Sequence, residues 1–390
     1  MIFNLISFAL FITYAALISA ITIGWWRLKE FNKNQPSAKV KISIIIAVRN
    51  EARNIRALLN SLLQQDYPSD MYEIIIVDDQ SSDETIRLVE EIIALQKGIL
   101  SLKLVTLGMN DNYGKKAAVK SGIRISSGEL IIITDADCIA GRKWISTIAS
   151  FFIAYKPQMI LGPVRTTDKG SFFGKLQTLE FTSLISSAAG SCNGGFPLLA
   201  NGANMAFTRQ AYETCGGFTG NMQYPSGDDM FLMMSIKKRF GASAIRFLRS
   251  KETIVSTPAL QGLMPFIQQR MRWVSKGRGY TDHLLIATSL LVFLVNVWLV
   301  VTAFMALRSK GFLNLFLLFY IGKLIIDFPL MFSYSRFQRS MSFLWLLPIM
   351  ELLNAVYTFI IGIAGNLGIY EWKGRKASTS SHELLTNLHN

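Results

Sequence analysis

The sequence predicts an α/β fold, a mostly parallel sheet with helices on both faces, flanked by transmembrane helices. Apolar, β-branched segments alternate with segments of helical periodicity between residues 40 and 134. Four further apolar stretches are each long enough to span a bilayer. Hydrophobic residues make up 51% of the 390 residues, and the mean hydropathy is +0.32. That composition excludes a wholly soluble protein and leaves room for one soluble domain beside a membrane block.

The first apolar stretch, Ile2 to Trp26, contains no charged residue. It lacks the basic start and the small-residue cleavage site of a signal peptide, and it ends in an interfacial pair, Trp25 and Trp26. Residues 1–27 are therefore predicted to be an uncleaved transmembrane anchor. A polar linker, residues 28–39, separates the anchor from the soluble domain.

The soluble domain, residues 40–259, opens with alternating strands and helices. Near-continuous apolar strands are typical of a parallel sheet that is covered on both faces, and such sheets bind ligands at the carboxyl ends of their strands. The predicted strands are Val40–Val48, Glu73–Val77, Leu102–Leu107 and Leu130–Thr134, and the predicted helices are Asn54–Gln65, Glu84–Gln96 and Lys115–Ile125. After Phe151 the alternation becomes irregular.

Residues 260–280 are predicted to form an amphipathic helix at the membrane interface. Gln269, Arg272 and Trp273 share one helical face, and an apolar stripe covers roughly the opposite face. An amide, a fixed cation and a large aromatic surface suit a diphosphate and a sugar ring. An interfacial helix with snorkelling basic residues explains the same pattern equally well.

Residues 281–370 are predicted to form a C-terminal membrane block of about three helices, and residues 371–390 a disordered tail. The helices are about Leu284–Leu307, Phe312–Phe332 and Phe343–Leu367. One span before the domain and three after it would place the C-terminus outside, yet basic residues near 373–376 favour the cytosol. One stretch is therefore expected to be interfacial or re-entrant, with Phe343–Leu367 the first candidate.

The formal net charge of +14 comes largely from basic residues that flank the hydrophobic stretches. The excess of basic residues after the first span predicts that the soluble domain is cytosolic. The protein itself is expected to be embedded in a bacterial-type plasma membrane. Anionic lipid headgroups and a nucleotide substrate explain the charge better than nucleic acid. Three cysteines without metal-type spacing and three histidines outside the core of the soluble domain argue against a disulfide framework and a zinc site.

Asp135 and Asp137 stand two apart at the end of the fourth predicted strand, so both carboxylates can face the same side. Two hard oxygen ligands and the phosphates of a substrate can hold Mg²⁺ or Mn²⁺. A solvated turn is the alternative and would be favoured for an isolated pair. The position directly after an apolar strand favours the metal site.

Other polar residues follow the first two strands and open the third helix. Asp78 or Asp79 can accept a hydrogen bond from a nucleobase or a ribose hydroxyl, while Ser82 or Asp83 caps the next helix. Glu51 follows the first strand at the same predicted edge. The run Gly114-Lys115-Lys116 suits a phosphate, with Lys116 as its candidate ligand, although an exposed basic turn is about as consistent.

Gly227, Asp228 and Asp229 precede a helical run. Asp is a preferred helix cap, which is one explanation of the pattern. The other is a general base, because an attacking hydroxyl must lose its proton and a helix N-terminus keeps a nearby carboxylate ionised.

Together these residues resemble glycosyltransferase family 2, particularly its membrane-embedded members related to cellulose, chitin, hyaluronan and poly-N-acetylglucosamine synthases. The resemblance covers about Lys41–Trp273 and the flanking membrane segments. It implies a GT-A fold and a metal-dependent hexosyl- or N-acetylhexosaminyltransferase that inverts the anomeric centre. The donor would be a nucleotide-diphosphate sugar, with UDP-sugars favoured.

The resemblance also implies roles for the site residues. Asp78 or Asp79 would contact the base and ribose, and Asp137 with Asp135 would hold the metal. Asp229 would be the base; the motif here reads Asp228-Asp229 where the family usually has Glu-Asp, which leaves both carboxylates as candidates. Gln269, Arg272 and Trp273 match the Q-x-x-R-W motif, with Arg272 on the diphosphate and Trp273 near the acceptor.

Two classes of acceptor stay open, a lipid-linked molecule and a polysaccharide. The alternative function is a processive synthase subunit that works with a partner protein. A non-catalytic nucleotide-binding scaffold is a further alternative. A polymer would need a polar path between the membrane helices, for which the candidates are Asn296, Trp298, Tyr320, Lys323, Asp327, Glu351, Asn354 and Tyr357. A structural ion pair between Lys323 and Asp327 is the other explanation of those charges.

Overall fold

The computed structural model describes residues 2–32, 39–108, 114–168, 170–222, 224, 227–365, 369–372 and 375–378. Most of the predicted linker and the tail from residue 379 onward, with His382 and His389, lie outside the described residues. The helices are α1 Ile2–Arg27, α2 Ile55–Leu63, α3 Thr85–Leu95, α4 Lys115–Ile125, α5 Trp144–Tyr155, α6 Phe172–Asn193, α7 Arg209–Thr214, α8 Asp228–Phe240, α9 Leu263–Ser275, α10 His283–Ala306, α11 Lys310–Gln338 and α12 Leu347–Ala364. The strands are β1 Ile42–Val48, β2 Tyr72–Asp78, β3 Ser101–Thr106, β4 Leu130–Ile133, β5 Met159–Leu161, β6 Val164–Thr167, β7 Met205–Thr208, β8 Ile245–Phe247, β9 Val255–Pro258, β10 Ile369–Trp372 and β11 Arg375–Ser378.

A seven-stranded sheet in the order β3-β2-β1-β4-β7-β5-β8 forms the centre of the soluble domain. The first four strands of that order are parallel, and β7 runs antiparallel to both of its neighbours. The prediction of a mostly parallel sheet is confirmed. Its central strands are buried on both faces, as the apolar runs from Ile42 and Tyr72 indicated.

Helix α6 is 22 residues long and connects the sheet to the membrane block. A Cβ atom on Gly24 of α1 would lie 2.1 Å from the carbonyl oxygen of Gly190 of α6, so only glycine allows this approach. The amide of Asn193 donates to the carbonyl oxygen of Gly24 at 2.8 Å. At the other flank, Gln338 of α11 donates to the hydroxyl of Thr182 at 2.7 Å. Helix α6 is therefore fixed between two of the apolar helices.

Four segments are long and apolar enough to cross a membrane, which agrees with the predicted spans: Ile2–Arg27, His283–Ala306, Lys310–Gln338 and Met341–Ala364. The last combines a short 3₁₀ segment with α12. Helix α12 packs mainly against α10, and α1 packs against α10 and α11.

Three charged residues of the apolar helices are buried together. The ammonium of Lys323 donates to Asp327 at 2.7 Å and pairs with the carboxylate of Glu351. The hydroxyl of Tyr14 on α1 donates to Asp327 at 2.8 Å. This four-residue cluster joins α1, α11 and α12, and it extends the predicted Lys323–Asp327 ion pair to three helices.

The predicted disordered tail was wrong for residues 371–372 and 375–378. Strands β10 and β11 pair antiparallel as a hairpin and β10 packs against α9. The sequence between residues 369 and 372 contains Ile, Tyr and Trp, which favour strands.

Candidate active site

The carboxyl ends of β1, β2 and β4 bring the predicted polar residues to one edge of the sheet. Val48 pairs with Asp78 in register, and Asp135 follows β4 by two residues. The guanidinium of Arg49 donates to the carbonyl oxygens of Asp79 and Gln80 at 2.7 and 2.8 Å. The loops after β1 and β2 are therefore tied together at the edge where an α/β sheet binds its ligand.

Asp78 and Asp79 are both buried at this edge. One carboxylate oxygen of Asp78 accepts from the backbone N–H of Ser81 at 3.0 Å, and the other has no hydrogen-bond partner among the described residues. Asp79 accepts from the N–H of Gly114 at 2.9 Å. A buried carboxylate oxygen without a partner is costly, so Asp78 is well placed to accept a hydrogen bond from a ligand.

Asp83 and Glu51 make local hydrogen bonds at this edge. Asp83 accepts from the N–H of Thr85 at 3.0 Å, although the N-cap position of α3 is Glu84 and not the predicted Ser82 or Asp83. Glu51 lies at the same edge, where its carboxylate accepts from the amide of Asn54 at 2.8 Å.

Asp135 and Asp137 lie on one turn directly after β4. Asp135 is 2.6 Å from the ammonium of Lys115, and Asp137 is partly exposed. No group of three or more His, Cys, Asp or Glu side chains with metal-binding geometry occurs in the described part of the chain. A hard divalent cation could still take oxygen ligands from this pair, provided that a bound diphosphate or water supplied the others.

Asp228 and Asp229 form the first turn of α8. The helix cap is Gly227, whose φ of 90° suits glycine, so neither aspartate is the cap that the alternative explanation required. Asp228 is buried, whereas Asp229 lies at the cleft wall with 16% of its side chain exposed. Asp229 accepts from the N–H of Gly202 at 3.3 Å through one oxygen and from that of Met230 at 2.7 Å through the other.

Two lysines connect these carboxylates. Lys115 lies 2.6 Å from Asp135 and 3.5 Å from Asp228, and Lys276 lies 3.2 Å from Asp229. The ammonium groups thereby join the edge of the sheet, the start of α8 and the segment after α9 into one charged cleft.

The sequence pointed to Lys116 as the phosphate ligand, but the structure places Lys115 in the cleft. Lys116 is buried under the ring of Phe231, 4.3 Å from its centroid, and burial lowers its pKa to about 8. Helical geometry alone separates the two lysines, because adjacent residues on α4 point about 100° apart. Lys276 carried no motif signal and was not predicted.

The environment sets opposite titration behaviour for the two aspartates of α8. Burial alone would raise the pKa of Asp229, but Lys276 and Lys115 outweigh it and hold that pKa below its ordinary value. Burial dominates at Asp228, where Lys115 offsets it only in part and the pKa lies above the ordinary value. Asp229 is therefore the aspartate of this pair that stays ionised over the wider pH range.

Gln269, Arg272 and Trp273 lie on helix α9, whose C-terminal end approaches this cleft. Lys276, three residues after Trp273, contacts Asp229, so the C-terminal end of α9 meets the start of α8. Trp273 packs against Phe181 of α6 with 6.4 Å between ring centroids. The side chain of Gln269 accepts from Arg270, a residue that was not predicted to matter.

The chain matches two families by sequence. Residues 43–216 match Glycosyl transferase family 2, and residues 130–360, more than half of the chain, match Glycosyl transferase family group 2. The predicted resemblance to this family is confirmed.

Among characterised relatives, a beta-monoglucosyldiacylglycerol synthase of Trichormus variabilis is 25% identical over 71% of this chain and 57% of its own length. A poly-beta-1,6-N-acetyl-D-glucosamine synthase of Staphylococcus epidermidis is 32% identical over 47% of this chain and 44% of its own length. The chain thus spans about half the length of these relatives.

A mannosyltransferase from Pyrobaculum calidifontis, solved with GDP-Man and Mn²⁺, has a similar structure. The TM-score is 0.57 at 19% identity, over 89% of this chain and 98% of that one. The similarity confirms the predicted GT-A-like fold.

Proposed function

The chain belongs to glycosyltransferase family 2, and from that membership and the geometry of the cleft we propose that it is a membrane-bound inverting transferase. It moves a hexose or an N-acetylhexosamine from a nucleotide-diphosphate sugar to a lipid-linked acceptor. The observation that carries the choice of acceptor is the internal pairing of the polar groups between the apolar helices. UDP-sugars are the favoured donors.

The donor binds along the carboxyl edge of the sheet. Asp78, with its unpartnered oxygen, accepts from the base or the ribose, and Asp79 holds the N–H of Gly114 at the start of α4. Asp135 and Asp137 would supply oxygen ligands for Mg²⁺ or Mn²⁺, which when bound would neutralise charge on the departing diphosphate. Arg272 and Lys115 add fixed positive charge on the protein side of that diphosphate.

Asp229 is the general base. It is ionised, partly exposed to the cleft and held in place by two backbone N–H groups. An acceptor hydroxyl that donates to Asp229 transfers its proton as its oxygen attacks the anomeric carbon from the face opposite the diphosphate, which inverts that centre. Trp273 and Gln269 on α9 contact the acceptor.

The polar groups between the apolar helices support a lipid-linked acceptor over a polymer that crosses the bundle. Lys323 pairs with both Asp327 and Glu351 in the buried cluster. Three other candidates for a sugar path also donate hydrogen bonds within the bundle: the indole of Trp298 to Ser7, the hydroxyl of Tyr320 to the carbonyl oxygen of Pro348, and the amide nitrogen of Asn296 to the carbonyl oxygen of Val292. The amide oxygen of Asn296 has no partner among the described residues. A polymer needs such groups free to bind its hydroxyls.

The first test is turnover. The protein, purified in lipid nanodiscs with Mn²⁺ or Mg²⁺, is given a panel of UDP- and GDP-sugars with membrane lipid extract, and nucleoside diphosphate release and product size are measured. A single addition to a lipid, lost on chelation of the metal and in Asp137→Ala, is the expected result. A long polymer would contradict the proposed acceptor, and tight nucleotide binding without turnover would favour the scaffold.

Lys276 gives a pH prediction for the same assay. Lys276→Met removes the main cation that favours ionised Asp229, so the pKa of Asp229 rises. The acidic limb of the kcat/KM profile should therefore move to higher pH, with full activity kept on the alkaline side of the shifted limb. Lys238→Met, at an exposed position on α8, is the matched control and should leave the limb in place. If the acidic limb of Lys276→Met did not move, Asp229 would not be the base whose titration limits activity.

The proposal includes a topology in which the fourth apolar segment enters the membrane and returns on the same side. Leu346 and Leu347 at its start cluster with residues of α6, which belongs to the soluble domain. At its end, a Cβ atom on Gly365 would lie 2.8 Å from the side chain of Val274 on α9. Both ends thus lie beside helices of the soluble domain, which supports a cytosolic position for the basic C-terminus, in agreement with the positive-inside rule.

Cysteine labelling from outside the cell tests this topology. Ser309→Cys, in the connection between α10 and α11, should react with a membrane-impermeant maleimide in intact cells, whereas a cysteine added at the C-terminus should react only after lysis. Labelling of the C-terminal cysteine in intact cells would show that the fourth segment crosses.

A further inference from the structure

Arg270 is a buried cation between two aromatic rings. Its guanidinium carbon lies 4.1 Å from the ring centroid of Trp273 and 4.4 Å from that of Phe266. Only 5% of its side chain is exposed. Positions 266, 270 and 273 lie on one face of α9 at helical spacing, so the planar guanidinium can sit between residues one turn before and after it.

Glu180 of α6 fixes the orientation of that guanidinium. Arg270 Nε donates to one carboxylate oxygen at 2.9 Å, and a terminal nitrogen donates to the other oxygen. This two-point pairing fixes the plane of the guanidinium as well as its position. Helix α6 is itself held by the close approach of α1 at Gly190, so the orientation of Arg270 depends on a rigid neighbour.

The rings form a continuous stack from the membrane block to Trp273. Tyr357 of α12 packs on Phe266 with 5.5 Å between centroids, Phe266 packs on Arg270, and Arg270 packs on Trp273. Phe181, next to Glu180, packs against Trp273 at 6.4 Å. Helix α6 thus contacts the indole directly, and Phe266 and Arg270 connect the indole to α12.

We propose that Arg270 and Glu180 are positioning residues, which hold the Trp273 indole in the orientation that binds the acceptor. This inference rests on the proposed function, because Trp273 is the acceptor-binding group there. Neither residue touches the donor. Loss of the pair therefore lowers acceptor use while donor binding and donor hydrolysis by water persist.

A general structural role is the competing explanation, since a buried ion pair that joins α6 to α9 also stabilises the domain. The two explanations differ in their dependence on Trp273. If Arg270 acts through the indole, its removal has no further effect once the indole is gone; if it acts on the domain as a whole, the two losses add.

The experiment is a double-mutant cycle with Arg270→Met, Trp273→Ala and the combined variant. Misplacement of a binding group by about 1 Å costs about 100-fold, so Arg270→Met should lower kcat/KM for the lipid acceptor about 100-fold. The affinity for the nucleotide sugar and the rate of its hydrolysis should stay within about 3-fold. In the Trp273→Ala background, Arg270→Met should change acceptor kcat/KM by less than about 3-fold once Gln269, which Arg270 also contacts, is replaced by alanine in both arms of the comparison.

Two further variants serve as controls, one for misfolding of Arg270→Met and one for unspecific effects of removing a guanidinium. Glu180→Gln keeps the shape of the side chain and removes the charge, and it should give a smaller loss in the same direction. Arg246→Met removes another guanidinium that covers a ring, 4.9 Å from Tyr155 and outside the cleft, and should leave acceptor use unchanged.

Additive losses in the cycle, or equal losses of donor binding and acceptor use in Glu180→Gln, would overturn the inference. Failure of the proposed function would look different, because the unaltered protein would then transfer no sugar from any donor.

Discussion

Asp229→Asn is expected to reduce kcat for sugar transfer by about 10²- to 10⁴-fold, the usual contribution of a general base. The single oxygen of asparagine can keep only one of the two bonds that Asp229 accepts from the N–H groups of Gly202 and Met230, so the thermal unfolding temperature of the variant is measured beside its activity. Asparagine cannot take the proton of the attacking hydroxyl. Donor affinity should remain, because Asp229 does not contact the nucleotide in the proposed complex. Steady-state release of nucleoside diphosphate, compared with calorimetric nucleotide binding, separates the two.

Asp228→Asn is the matched control for this substitution. Asp228 has the same charge and precedes Asp229 by one residue, but its side chain is 4% exposed and faces Lys115. Its replacement should therefore lower kcat much less than that of Asp229 does, and only because the ion pair with Lys115 is weakened. The reverse order of effects would identify Asp228 as the base, and equal effects would mean that the pair acts as one titrating unit.

The arrangement of the carboxylates could be predicted because it follows from local signals. Apolar β-branched runs place β1, β2 and β4 in a buried sheet, and parallel strands bring their carboxyl ends to one edge. Asp78, Asp135 and their neighbours come directly after those strands. Their approximate positions therefore follow from strand assignment alone.

The cations of the cleft could not be predicted in the same way. Lys276 reaches Asp229 across 47 residues, and Arg270 pairs with Glu180 across 90. No periodicity in a single segment indicates such pairs. Helix α6 was missed for a related reason: its surroundings bury it on several sides, so it lacks the one-sided apolar pattern by which a surface helix is recognised.

The composition of the fourth apolar segment and its proposed topology point to different conclusions. Its length and hydropathy match those of a spanning helix. Glu351, Pro348 and the basic tail favour the proposed return of this segment to the same side, and the contacts of its two ends with α6 and α9 support that proposal. A polar group such as Glu351 is tolerated inside the membrane only with a partner, and Lys323 supplies it.

Lys323→Met should destabilise the membrane block severely. Lys323 is the cation that both Asp327 and Glu351 contact, and all three side chains are at least nine-tenths buried. Removing one partner of a buried ion pair typically costs about 3–5 kcal/mol in the free energy of unfolding, because the remaining charge is left without compensation. Here two carboxylates lose the same partner. The expected result is a large drop in the yield of folded protein and in the thermal unfolding temperature in nanodiscs.

Neutralising the two carboxylates in the same chain should recover much of the lost stability. In the triple variant Lys323→Met, Asp327→Asn, Glu351→Gln no buried charge remains, and the asparagine can still accept from the hydroxyl of Tyr14. Lys310→Met, at the exposed start of α11, controls for the loss of a positive charge on the same helix. Recovery in the triple variant would show that uncompensated charge, rather than lost packing of the lysine, causes the defect. A triple variant as unstable as Lys323→Met would contradict that cause and would point to the shape of the lysine side chain between α1, α11 and α12.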